Sequence, residues 1–212
     1  MRTRDPTPRS TYRHGDLRRT LLEAGIALAR ERGPDAVVLR EATRMAGVVP
    51  NAAYRHFASR LELMQAVRAA ALSAVAAAIE AELAAVPPGL PPAEEARARV
   101  RAVGSGYLRF AVQERGLFRT AFAALDPVEG DSDPAKAGES GLNPFELLGA
   151  ALDGMVAAGV LPAERRPGAE YLAWSAVHGL AMLLIDGPLR PLPPAQIQEI
   201  GQRLLNMVER GL

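Results

Sequence analysis

The chain has 212 residues, 49% of them apolar, which is enough to bury a substantial core, and no long apolar run escapes a charge or a break, so no membrane span is expected. It lacks cysteine, which excludes a disulfide framework and a thiolate metal site, and its basic amino terminus is not followed by a signal-peptide core. Net charge is only +1, but residues 1–68 hold 13 arginines against 7 acids, and the remainder 12 cations against 17 acids. A basic head on an acidic body points to a head that binds a polyanion, with chance clustering in an arginine-rich composition as the plain alternative. A soluble protein of the cytoplasm is the expectation.

Residues 1–15 contain Pro6, Pro8, Gly15 and four arginines without apolar periodicity. They read either as a basic arm that follows a DNA groove or as a terminus without a role. Asp16 is placed to cap a first helix running to residue 32, with Leu17, Leu21, Ala24 and Leu28 on one face. Gly33-Pro34 closes it, as a left-handed glycine before a residue that cannot continue a helix. Leu39, Ala42 and Ala46 then share a face of a short helix, Gly47 supplies a turn, and Pro50 suits the first position of a second short helix over 51–57. Ala53 and Phe57 would face inward there, leaving Asn51, Ala52, Tyr54, Arg55 and His56 more exposed. Small residues at the crossing let the two helices approach at the steep angle of a helix-turn-helix.

Arg40-Glu41-Ala42, Ala46-Gly47-Val48, Asn51, Tyr54-Arg55-His56-Phe57, Arg60 and Leu63, in this order and spacing, resemble the DNA-binding signature of TetR-type transcriptional regulators. The resemblance covers about residues 16–68. It implies that Tyr54, His56 and Arg60 hold phosphates, and that Asn51, Ala52 and Arg55 lie where bases or flanking phosphates are reached. It also implies that Arg40 and Arg44 face the backbone from the first short helix. For Tyr54 the alternative is a packed aromatic with its hydroxyl at the surface, and for His56 a solvated helix-end histidine. The family pattern leads one to expect Ser or Thr capping each short helix, where this chain has Val38 and Val49. Valine cannot accept the capping hydrogen bond, a loss of about 0.5–2 kcal/mol at each end.

Ser59-Arg60-Leu61-Glu62 reads as a capping box opening a helix over 59–86, about 42 Å long, that would join head to body. A further helix is expected from Pro92 to about residue 115, with Gly104 and Gly106 leaving room for a close neighbour or a kink. A short helix containing Phe122 follows, and residues 126–142 read as an acidic loop without regular structure. Three more helices are expected over 144–160, 167–185 and 194–210. The last of them has Ile197, Ile200, Leu204 and Met207 on one stripe, with Leu205 and Val208 beside it. Trp174-(x)3-His178-Gly179 resembles the carboxy-terminal domain of a subgroup of the same regulators.

The expected architecture is all-α: an arm at 1–15, a helix-turn-helix head at 16–60, and a helical ligand-binding and dimerisation body at 61–212. Tyr107, Phe110, Phe118, Phe122 and Phe145 are candidates to line an apolar cavity in the body, as are Leu148, Met155 and Trp174. Stripes of this kind equally make ordinary core. His178 is either a polar ligand contact or, preferably, a core or interface histidine. No catalytic constellation appears, no cofactor is expected, and the three histidines lie too far apart in sequence to suggest a metal site. The resemblance implies a regulator, most simply a repressor, that binds double-stranded operator DNA and is released by a small, largely apolar ligand. It also implies a homodimer through the last two helices, about 167–210, for which monomer core is the alternative. A helical carrier protein without a DNA role is the rival function.

Overall fold

The computed structural model describes residues 17–123 and 133–212, and within them every regular element is helical. The expected arm and the Asp16 cap lie outside the described residues. Three helices build the head: α1 (Leu17–Arg32), α2 (Leu39–Ala46) and α3 (Pro50–Ala53). Leu21, Leu28, Val37, Ala42, Ala53 and Phe57 close on one another there as fully buried core. Gly33 has φ 80° but ψ −174°, an extended positive-φ conformation reserved for glycine, not the left-handed helical one expected. The following proline disfavours helical backbone at its neighbour.

α4 (Arg60–Ala84) spans about 37 Å, somewhat less than the sequence suggested. The Ser59 side chain accepts the N–H of Glu62, but the Glu62 carboxylate reaches back to the N–H of Ala58, so the expected reciprocal box is displaced by one residue. By length and composition α4 could cross a bilayer, contrary to the reading of the sequence. Its apolar residues go into protein core instead: Leu63, Val67, Val75 and Ile79 are buried, and α4 packs on α1, α5, α6 and α7.

The body follows as α5 (Pro92–Gln113), α6 (Arg115–Ala121), α7 (Pro144–Ala157), α8 (Ala169–Ile185) and α9 (Pro194–Gly211). Phe122 caps α6 rather than lying inside it. α5 is the central strut, in contact with α4, α6, α7, α8 and α9. Its glycines serve close approach, not a kink: a Cβ on Gly106 would lie 2.6 Å from the Ile79 Cα, and one on Gly104 would run into the Leu205 side chain. Arg97 and Arg101 of α5 clamp the buried Glu209 of α9, which fixes the chain's last helix. Part of the expected acidic loop is well tied down. The Glu80 carboxylate accepts the N–H groups of Glu139 and Ser140, each at 2.9 Å, and the Ser140 hydroxyl at 2.6 Å. A true capping box, unnoticed in the sequence, opens α7 between Asn143 and Glu146.

Candidate functional site

The turn between α2 and α3 is built by local chemistry. Gly47 adopts φ 67°, ψ 28°, a left-handed conformation that only glycine takes freely, and the Val48 N–H closes back on the Thr43 carbonyl at 3.0 Å. Val38 and Val49 are both extended N-cap residues without a side-chain bond. α3 is shorter than expected, because the N–H groups of His56 and Phe57 both converge on the Ala53 carbonyl and end the helix there. Residues 54–56 therefore form a turn.

This arrangement buries Ala53 and Phe57 and leaves Asn51, Tyr54 and Arg55 exposed, Tyr54 at 57% of its surface. Ala52 and His56 are half-buried. Arg40 and Arg44 are exposed on α2, and Arg44 pairs with Glu41 at 3.0 Å while Arg32 lies 3.8 Å from the same carboxylate. The hydrogen bond and charge of Arg44 hold the Glu41 carboxyl below the usual carboxylate range. Arg60 is exposed but already engaged: its Nε donates to the Val37 carbonyl at 3.0 Å and so pins the entry to α2.

One contributor was invisible in the sequence. The Arg18 guanidinium of α1 stacks 4.4 Å from the centre of the Phe57 ring, donates to the His56 carbonyl, and faces Glu62 at 3.4 Å. It thus clips the α3 turn to α1 and α4 at once. Its partners lie some forty residues away, and only the folded chain brings them together.

The body contains a cavity of about 120 Å³ between α4, α5, α7, α8 and α9. Of the nine residues singled out, Tyr107, Phe122, Phe145, Leu148 and Trp174 line it. Phe110, Phe118 and Met155 do not: they are buried core behind its wall. His178 does not line it either, and its Nδ1 meets the Tyr107 hydroxyl at 2.7 Å. Trp174 Nε1 donates to that same hydroxyl at 3.1 Å. Burial pushes the Tyr107 hydroxyl well above its ordinary pKa and pulls His178 below 6.5, so both are neutral near pH 7. Sequence reasoning missed the polar lining, Arg68, Lys136 and Asn143, because it searched for aromatic stripes. It also missed Leu205 and Val208, through which α9 reaches the cavity. Among the described residues no group of three His, Asp or Glu side chains comes together as a metal site.

Residues 21–67 match the bacterial regulatory proteins, tetR family, and residues 100–208, just over half the chain, match the tetracyclin repressor-like C-terminal domain. No curated protein matches the chain. Among solved structures, a Rhodococcus sp. RHA1 protein of unknown function is 27% identical, with a TM-score of 0.74 over 96% of this chain and 99% of its own. The TetR family transcriptional regulator PfmR from Thermus thermophilus is 22% identical, with a TM-score of 0.58 over 91% of this chain and 95% of its own. A TetR-like transcriptional regulator from Rhodococcus sp. RHA1 is 19% identical, with a TM-score of 0.52 over 97% of this chain and 98% of its own. These last two likenesses are of fold alone. With a helix-turn-helix head and a helical body each matching its own part of the family, the chain belongs to the TetR family and is a DNA-binding transcriptional regulator.

Proposed function

We propose that this regulator is a homodimeric repressor of the cytoplasm that leaves its operator when a small ligand fills the body cavity. The arm at 1–15, the head at 16–60 and the body at 61–212 divide the labour. Members of the family bind operator DNA and dimerise; in this chain Asn51, Ala52, Tyr54, Arg55 and His56 would meet one major groove, flanked by Arg40 and Arg44. Arg60 would reach a phosphate only by giving up part of its hold on Val37. Two heads would occupy successive grooves about 34 Å apart. The family match over the head disfavours the rival carrier without a DNA role.

The observation that carries the ligand-release reading is continuity. α4 lines the cavity with Arg68, Leu72 and Ile79, and the same helix runs into the head and packs on α1. A ligand that prefers one tilt of α4 shifts the spacing of the heads, provided its affinity differs between the two states. The test is binding to the chain's own promoter region across a salt series. A steep negative log–log slope is expected for phosphate-dominated binding. Tyr54→Ala combined with Arg55→Ala should abolish binding while the helical circular dichroism is kept; a slope near zero, or full binding by that variant, overturns the assignment of the interface.

A further inference from the structure

The body cavity is not uniformly apolar. Arg68 of α4 and Lys136 of the 3-10 turn before α7 (Pro134–Lys136) both line it, and no carboxylate does among its described lining residues. Most of the remaining lining is aromatic or aliphatic, Phe145, Leu148 and Trp174 included. Both cations can add a charge-assisted hydrogen bond to an anionic head, a gain that an uncharged ligand does not match. Size narrows the class further. A cavity of about 120 Å³ is somewhat smaller than one of ~150 Å³ that takes up a single benzene ring, so the apolar part is a ring or short chain of no more than about six carbons. We propose that the ligand is a small amphipathic carboxylate, its head between Arg68 and Lys136 and its apolar body against Trp174, Phe145 and Leu148. This rests on the reading of the cavity as the ligand site of a releasable repressor.

Arg68 gives such an anion a route to the head. Its Nε donates at 3.0 Å to the carbonyl of Ala121, the last residue of α6. α6 in turn presses on α1, where a Cβ on Gly116 would run into the carbonyl oxygens of Ala29 and Arg30. Arg30 also pairs with Glu114 at the start of α6 at 2.9 Å. Neither cation is idle without ligand, since both have further partners. The carboxylate therefore enters an existing network, draws Arg68 toward itself, and loosens the tether that holds the end of α6.

Trp174 is the chain's sole tryptophan and lines the cavity, so its emission reports occupancy directly. The full chain, free of DNA at neutral pH, is titrated with hexanoate and cyclohexanecarboxylate and with their primary amides, all transparent where tryptophan is excited. Each acid is expected to give a saturable change and to bind at least about tenfold tighter than its amide, the ratio that roughly 1.4 kcal/mol sets. Lys136→Gln and Arg68→Gln should each bring that ratio toward one, by weakening the acid more than the amide. Melting curves establish that each variant is folded, and Lys136→Gln alone decides the matter if Arg68→Gln does not fold. Amides that bind as tightly as acids, acids without a saturable response, or an unchanged ratio in folded Lys136→Gln each overturn the proposal. Failure of the repressor reading looks different: the acids would bind with the expected preference, yet release no promoter DNA in a parallel titration.

Discussion

Tyr107 sits at a polar joint inside the body, accepting from Trp174 and bonded to His178, with the rings of Phe118 and Phe122 centred 5.2 and 5.7 Å away. Burial disfavours the charged form of His178, so its folded pKa lies below 6.5. The unfolded chain therefore takes up this proton first as pH falls. The stability His178 contributes is complete above 6.5 and is lost as the pH drops from there through the folded value. The midpoint of thermal unfolding should accordingly fall faster below about pH 6.5 in the native chain than in His178→Asn; parallel slopes in a pH series of melts would refute this. At the same scale Arg18 shows how little an exposed charge reveals in a sequence. It reads there as a residue on the polar side of α1, yet in the structure it holds the α3 turn by the His56 carbonyl and the Phe57 ring, and α4 by Glu62.

At the scale of elements, α2 and α3 start without side-chain caps. Val49 is already extended at φ −73°, ψ 144° and is 69% exposed, so a hydroxyl can be introduced there without moving the backbone. Val49→Ser should stabilise the chain by about 1 kcal/mol, a rise of roughly 2–4 °C in melting temperature for a chain of this size. An unchanged or lower midpoint would show that the α3 N-terminus is satisfied in another way. The contact of α6 with α1 predicts the opposite sign. Gly116→Ala places a methyl group against the α1 carbonyls of Ala29 and Arg30, which belong to a helix backbone and cannot swing aside. A loss of about 1–3 kcal/mol is expected, together with altered promoter affinity at a temperature where the variant remains folded. Calorimetry and a binding titration measure the two, and native values for both would mean that α6 and α1 part freely.

At the scale of the whole molecule, large exposed apolar residues occur in the head and at the start of α4 (Met45, Val49, Tyr54 and Leu61) and, within the described part of the body beyond it, on α8 and α9. Tyr171, Leu172, Met182 and Leu183 of α8 and Met207 of α9 are exposed, with Leu172 at 67% and Met207 at 60%. The stripe of α9 that the sequence made most apolar, Ile197, Ile200, Leu204 and Met207, is only half-buried or exposed. The core takes Gly201, Leu205 and Val208 instead. Such a face supports the proposed dimer through the last two helices. Leu172→Glu combined with Met207→Glu should sediment as a monomer that keeps its helicity and binds promoter DNA far more weakly. A dimer that persists in this variant would place the interface elsewhere. Because α9 also lines the cavity through Leu205 and Val208, the proposed ligand and the proposed partner subunit would act on opposite sides of one helix.

The all-α architecture and the helix-turn-helix were legible from sequence because they rest on local rules. Apolar spacing at three and four residues, Gly47 at a left-handed turn and Pro50 at a helix start act within a few neighbours. Family membership was legible for the same reason, since the signature is a contiguous spacing. The sequence could not show which aromatics enclose space and which merely fill it. Phe118 and Phe122 sit four apart, yet one is core and the other is wall, because the neighbours of α6 decide that. Nor could it show that Arg68, Lys136 and Trp174 meet around one cavity, or that Arg18 reaches His56. These arrangements depend on how α1 and α4 to α9 cross, and crossing geometry is set by contacts between residues far apart in the chain.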